Sequence, residues 1–283
     1  MSSLGDERIA IVGLGAIGGS LALTLRDEAP VMAWSRDGAD RMAAAAAGIR
    51  VCPAESSWLH ELANVTLAVL AVPLDEIAPV ARALLAVMPN DALVLHTGSL
   101  QRQAAIGLSD GESRRVLGTH PIAGSERSGF AAATVGMFRE ATLRAEARAT
   151  DAERRRIEAV WRPAGIADII WSDGTAHDDL MSWVSHLPQL TATALAAALG
   201  QQGIALPEAG PGARDATRLA SSDLTMWRPI LSKAPHATPA ALRRLTAVLD
   251  ALATAIEAND YARIATHWEE ARGWRSGVAE KRA

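Results

Sequence analysis

The chain has 283 residues, of which 49% are hydrophobic and 21% charged. This is the balance of a globular protein with one large domain or two ordinary ones. Its net charge of -4 gives no general attraction to nucleic acid or to an anionic membrane. A single cysteine, Cys52, excludes an internal disulfide and a cysteine-rich metal site. Lysine occurs only at Lys233 and Lys281, which leaves few candidates for a catalytic lysine. Asp6 and Glu7 precede the first apolar run, unlike the basic start of a signal peptide. No uninterrupted apolar run reaches the roughly 18 residues of a membrane span. A cytoplasmic protein that holds no metal is expected.

Residues 8–12 read as a short apolar strand, followed by Gly13-Leu-Gly15-Ala-Ile17-Gly18 and a helix to Arg26. This is G-x-G-x-x-G in strand–turn–helix context. Gly13 allows the tight turn, Gly15 lets backbone approach a pyrophosphate, and Gly18 lets helix and strand pack closely. The helix N-terminus would then hold the phosphates. The second strand, 30–34, ends in Ser35-Arg36-Asp37. Sites for NAD place an acid at this point, whereas a hydroxyl and a guanidinium suit a 2′-phosphate. NADP is therefore the favoured cofactor. Asp37 keeps NAD open, since it could hold the ribose or merely cap the next helix.

Residues 39–48 are helical, 65–72 form a buried strand closed by Pro73, and 74–88 are helical again. Residues 92–96 form a strand that leads to Ser99, and 115–119 another that delivers His120. Pro121 biases His120 towards an extended conformation. A histidine beyond a strand's carboxyl end can accept a proton from a ligand hydroxyl near neutral pH. Residues 141–148 alternate like a strand, 151–162 form a helix, and 167–171 a last strand. From about 173 the pattern is helical, with Pro188 expected to kink the segment 176–200. Helices are also expected over 213–222, 239–258 and 260–275. The expected fold is a Rossmann-type, doubly wound parallel sheet over 1–173, followed by an all-helical domain over 174–283.

Four segments together resemble the prephenate/arogenate dehydrogenase family of tyrosine synthesis. They are the glycine motif, His120-Pro-Ile-Ala-Gly-Ser-Glu-Arg-Ser-Gly129, Ser185-His-Leu-Pro188, and Arg214-Asp-Ala-Thr-Arg218 through Asp223 with Met226-Trp227. The resemblance implies an oxidative decarboxylation that aromatises a cyclohexadienol. It makes His120 the base and Ser99 the residue that bonds both the histidine and the substrate. It makes Arg218 the clamp on the ring carboxylate, steadied by Asp215, and places His186 near the side-chain carboxylate. Ser125 and Glu126 would line the pocket mouth. Gly13, Gly15, Ile17, Gly18, Ser35, Arg36 and Pro73 would hold the cofactor. The helical domain, rich in alanine and leucine, is expected to form a homodimer through about 175–275.

The family often reads Asp-x-x-Ser-x-Lys where this chain reads His96-Thr-Gly-Ser99-Leu-Gln101, and Gln189 replaces a second histidine. The His177-Asp178 pair, also matching the family, reads as a helix start or interdomain packing. A β-hydroxyacid dehydrogenase or imine reductase is the competing enzyme reading. A dinucleotide-binding sensor is the competing non-enzyme reading.

Overall fold

The computed structural model describes residues 4–53, 58–123 and 128–279. In chain order these form β1 (Ile9–Val12), α1 (Ala16–Leu25), β2 (Val31–Trp34), α2 (Gly38–Ala46), β3 (Arg50–Val51) and α3 (Trp58–Glu61). There follow β4 (Leu67–Leu70), α4 (Ile77–Leu85), β5 (Leu93–His96), α5 (Asp110–Arg114), β6 (Val116–Pro121) and β7 (Thr142–Glu146). Then come α6 (Asp151–Trp161), β8 (Asp168–Ser172), α7 (Gly174–Met181), a π-helical turn (Ser182–His186) and α8 (Leu187–Gln201). The remaining elements are α9 (Pro211–Thr217), a 3-10 turn (Arg218–Ser221), α10 (Leu224–Ser232), α11 (Ala237–Glu257) and α12 (Tyr261–Ala279).

One eight-stranded sheet runs in the order β3-β2-β1-β4-β5-β6-β7-β8. Strands β1, β4 and β5 are buried on both faces, as parallel strands covered by helices must be. Two apolar clusters occupy the two faces. One gathers Ile9, Ile11, Leu67, Val69, Leu95 and Trp161; the other gathers Val12, Leu70, Ile77, Leu84 and Val94. Each fully buried Leu, Ile or Val contributes about 1.5–3 kcal/mol of transfer free energy. Cys52 is one of these buried residues.

The sheet departs from the expected all-parallel arrangement at one place. Strand β7 pairs with β6 antiparallel, with His120 opposite Arg144, and β8 then runs parallel to β7. The link from β6 to β7 contains no crossover helix among its described residues, only a 3-10 turn at Phe130–Ala132. Without a helix to carry the chain back across a face, the next strand returns in the opposite direction.

The chain divides into two compact units, one of residues 1–181 and 218–235, the other of 182–217 and 236–283. This is a different partition from a single cut at 173/174, because α7, the turn at 218–221 and α10 group with the sheet. In the helical unit, the π turn precedes α8, which carries Pro188 in its first turn. Proline lacks an N–H and is tolerated at that position, so the expected kink falls where the π turn runs directly into α8. Among the described residues no helix is long and apolar enough to cross a membrane.

Candidate active site

The order 3-2-1-4-5-6 reverses between β1 and β4, the point at which open α/β sheets bind dinucleotides. A cavity of about 360 Å³ lies there, lined by Gly13, Gly15, Ser35, Arg36, Pro73 and Glu76 among others. Gly13 has φ +95°, and a Cβ on Gly18 would press on the Gly13 carbonyl and stand 2.9 Å from the Ala71 Cβ. A Cβ on Gly15 would meet nothing within 4 Å. Gly15 also caps α1 without a side-chain hydrogen bond, so the positive end of that helix faces open space. Ile17 sits in the first turn and packs against the first apolar cluster. These residues fit a dinucleotide pyrophosphate.

At the end of β2 the three polar residues take separate roles. Ser35 is buried, and its hydroxyl accepts from the Asp37 amide at 3.2 Å. Asp37 caps α2, accepting from the Ala39 amide at 2.7 Å and the Asp40 amide at 3.3 Å. Arg36 reaches across to Glu76 at 2.8 Å, with the arginine side chain 77% exposed. Of the two roles open to Asp37, the structure has the helix cap.

Pro73 and Val72 also line a second cavity of about 250 Å³, together with Thr97, Ser99, Met226 and Ile230. Ser99 follows β5 as His120 ends β6, and His96 pairs with Gly118 in register. Among the described residues Ser99 makes no hydrogen bond to His120. Instead, His120 Nδ1 lies 3.1 Å from His177 Nε2, with the rings edge to face. His177 Nδ1 lies 2.9 Å from Asp178 Oδ1. The Asp178 carboxylate accepts from two backbone amides, Gln101 at 2.6 Å and Gln103 at 3.0 Å. His177 and Asp178 are fully buried, on α7. Sequence reading missed this contact because nothing in a His-Asp pair at a helix start signals that it meets a histidine 57 residues away.

The imidazole of His120 is pushed down to about 3, first by burial and then by its neighbours His177, His96 and Arg144. It is therefore neutral at physiological pH. His96 is buried and lowered to about 4, again chiefly by burial, and its Nδ1 has no hydrogen-bond partner among the described residues. Gln101 stands where the family often has lysine. Its amide donates to the Arg144 carbonyl at 2.8 Å, and a Cβ on Gly118 would strike its side chain. Glu146 accepts from the Gly118 amide at 2.8 Å and from Arg148 at 3.0 Å. The two altered ends of this stretch, His96 and Gln101, are thus buried among polar groups, while Thr97 to Ser99 between them line the cavity.

Arg218, Asp215 and His186 come from the helical segments later in the chain. Arg218 opens the 3-10 turn and is exposed; Asp215 lies in α9 and is also exposed. The structure assigns these two to different compact units. His186 closes the π turn, fully buried, with Nδ1 2.9 Å from the Thr238 hydroxyl, which also lies 2.9 Å from the Ser182 hydroxyl. A π turn often marks a functional site. Ser125 and Glu126 lie outside the described residues.

Comparison with known proteins gives a consistent result. Residues 21–160 match the family described as prephenate dehydrogenase, nucleotide-binding domain. Residues 173–270 match prephenate dehydrogenase, dimerization domain. The chain is 28% identical to a cyclohexadienyl dehydrogenase of Zymomonas mobilis, over 94% of each chain. It is 26% identical to a prephenate dehydrogenase of Bacillus subtilis, over 96% of this chain and 76% of the relative. Its fold is similar to the crystal structure of prephenate dehydrogenase from A. aeolicus in complex with hydroxyphenyl propionate and NAD+. That likeness has a TM-score of 0.86 at 23% identity, covering 98% of this chain and 100% of the other.

Proposed function

We infer, because this chain belongs to the prephenate dehydrogenase family, that it catalyses the oxidative decarboxylation of a cyclohexadienol carboxylate in tyrosine biosynthesis, with a nicotinamide dinucleotide as oxidant. The carrying observation is that both family domains are matched in order, over residues 21–160 and 173–270. The hydroxyacid, imine and sensor readings lose their support to that match. A bound, oxidised nicotinamide would supply the acceptor for the hydride that leaves C4 of the ring.

The chain's own residues have four tasks. The first turn of α1 and the glycines Gly13, Gly15 and Gly18 hold the pyrophosphate. His120 takes the C4 hydroxyl proton; a neutral imidazole has the lone pair this needs. Arg218 supplies a planar fork for the ring carboxylate, with Asp215 one turn earlier in sequence, and His186 serves the side-chain end. Ser99, which lines the second cavity, hydrogen-bonds the substrate. Loss of carbon dioxide makes the ring aromatic and drives the reaction, so the protein mainly orients, deprotonates and excludes water.

The finer reading is that NADP is preferred and arogenate is the better substrate. Asp37 is engaged as a helix cap, and Arg36 stands at the β2 end. The exposed Arg36–Glu76 pair is worth about 0–1 kcal/mol. A charge-assisted hydrogen bond to a 2′-phosphate is worth about 1.5–3 kcal/mol, so the phosphate outcompetes Glu76 for the guanidinium. The Ser35-Arg36 pair resembles that of NADP-using, arogenate-preferring members of the family, which supports arogenate, and Gln189 in place of a histidine bears on the choice of side chain. A matrix of arogenate and prephenate, each with NADP and NAD, is expected to turn over fastest in the arogenate–NADP corner. A folded protein that binds NADP and turns over nothing in any corner would overturn the function. A fastest corner elsewhere would overturn only the preference.

The enzyme is read as a cytoplasmic homodimer. The helical unit leaves Leu195, Val248, Leu249, Ile256, Trp268 and Trp274 exposed, more apolar surface than an unpartnered unit ordinarily shows. Light scattering at micromolar concentration is expected to give twice the 29.7 kDa chain mass; a monomer mass would reject the dimer.

A further inference from the structure

We propose that His177 and Asp178 are positioning residues that fix the tautomer of His120, keeping its Nε2 unprotonated and available as the base. The inference rests on the reading of His120 as the proton acceptor.

The polarity of the chain of contacts can be worked out from its anchored end. Backbone N–H groups only donate, so Asp178 Oδ1 and Oδ2 are acceptors from Gln101 at 2.6 Å and Gln103 at 3.0 Å. As a carboxylate Asp178 is acceptor-only, so His177 Nδ1, 2.9 Å from Oδ1, carries the proton and donates. A neutral imidazole donates from one nitrogen and accepts at the other. His177 Nε2 is then an acceptor, and its neighbour at 3.1 Å, His120 Nδ1, must donate. With the proton on Nδ1, the lone pair of His120 is on Nε2. The arrangement passes no net charge; it makes one of two tautomers the better-bonded one.

The surroundings hold this pattern in place. His177 and Asp178 are buried on α7. Charged and titratable groups that act on His120 from other elements are His96 at the end of β5 and Arg144 opposite it on β7. Glu146 acts in turn on His96. Arg144 stands across the ladder from His120 and opposes protonation, so the neutral form whose tautomer is being chosen is the one present.

The test combines spectroscopy and kinetics. In 15N-labelled wild-type protein, the His120 signals, identified by their loss in His120→Asn, are expected to show a pyridine-like Nε2 and a pyrrole-like Nδ1. This readout needs no turnover, so it stands apart from whether the assigned reaction is correct. His177→Leu removes the acceptor and is expected to lower kcat by about 10²-fold, with KM and cofactor binding changed less than threefold. His177→Gln restores an amide oxygen that can accept from Nδ1 and is expected to recover most of that loss. A protonated Nε2 in the wild type would overturn the proposal, as would equal kcat for the leucine and glutamine variants. If His177→Leu does not fold, the wild-type spectrum alone decides.

Discussion

Replacing His120 with asparagine is expected to lower kcat by about 10²- to 10⁴-fold, the range for loss of a positioned general base, while the cofactor dissociation constant stays within about twofold. The separation follows from the architecture. The cofactor cleft is built at the ends of β1, β2 and β4, whereas His120 ends β6, on the far side of β5. Asparagine keeps a polar group at the end of a strand paired on both sides, but it cannot take up a proton. An imidazole lowered to about 3 is a weak base, and this is compatible with the reaction. As hydride leaves C4, the hydroxyl becomes a protonated carbonyl, whose acidity far exceeds that of the starting alcohol. A weak base that rests unprotonated at neutral pH and takes the proton only as the hydride leaves is then sufficient. Stopped-flow turnover together with a cofactor fluorescence titration reads both quantities. Retention of kcat within tenfold would remove His120 from the chemistry, and a parallel loss of cofactor binding would make its role structural.

Much of the site was legible because local signals carry it. The turn after β1 needs a positive φ at Gly13 and no Cβ at Gly18, and only glycine satisfies both. His120 was visible as a strand-end residue because Pro121 restricts it. Direction was not legible for β7: the alternation of Leu143 and Ala145 with Thr142 and Arg144 marks a half-buried strand, but period alone is the same parallel or antiparallel. The π turn at 182–186 was not legible either, since it differs from the neighbouring helix in hydrogen-bond pairing and not in residue type. Asp37 illustrates a third limit. Its two roles differ only in the direction of one carboxylate, and the proximity of two free amides at the start of α2 decides it. The His177–His120 contact is purely tertiary, made when α7 packs on the face of the sheet that carries His96, His120 and Glu146.

The glycines of the first turn offer the other large effect, because a single added methyl should act oppositely at two of them. Gly18→Ala places a Cβ against the Gly13 carbonyl and 2.9 Å from the Ala71 Cβ. Neither the Gly13 backbone nor the Ala71 Cβ, fixed to its own strand end, can move aside cheaply, so α1 must shift away from the sheet. Overpacking of this kind costs about 1–3 kcal/mol, a fall in Tm of roughly 2–10 °C for a protein of this size. Gly15→Ala meets nothing within 4 Å. It exchanges one N-cap residue for a poorer one, at a cost of up to about 1 kcal/mol, so the fold should survive with a Tm change at the low end of that range. The space it fills, however, is where the chain backbone comes closest to a bound pyrophosphate. Cofactor affinity is therefore expected to fall by about tenfold or more, and kcat at saturating cofactor to change little, since Ser99 and His120 are untouched. Thermal melts and cofactor titrations on the two variants separate the roles. A Gly15→Ala protein that binds the cofactor like the wild type would place the pyrophosphate elsewhere. A Gly18→Ala protein with unchanged Tm would show that α1 and the sheet pack with slack that this geometry denies.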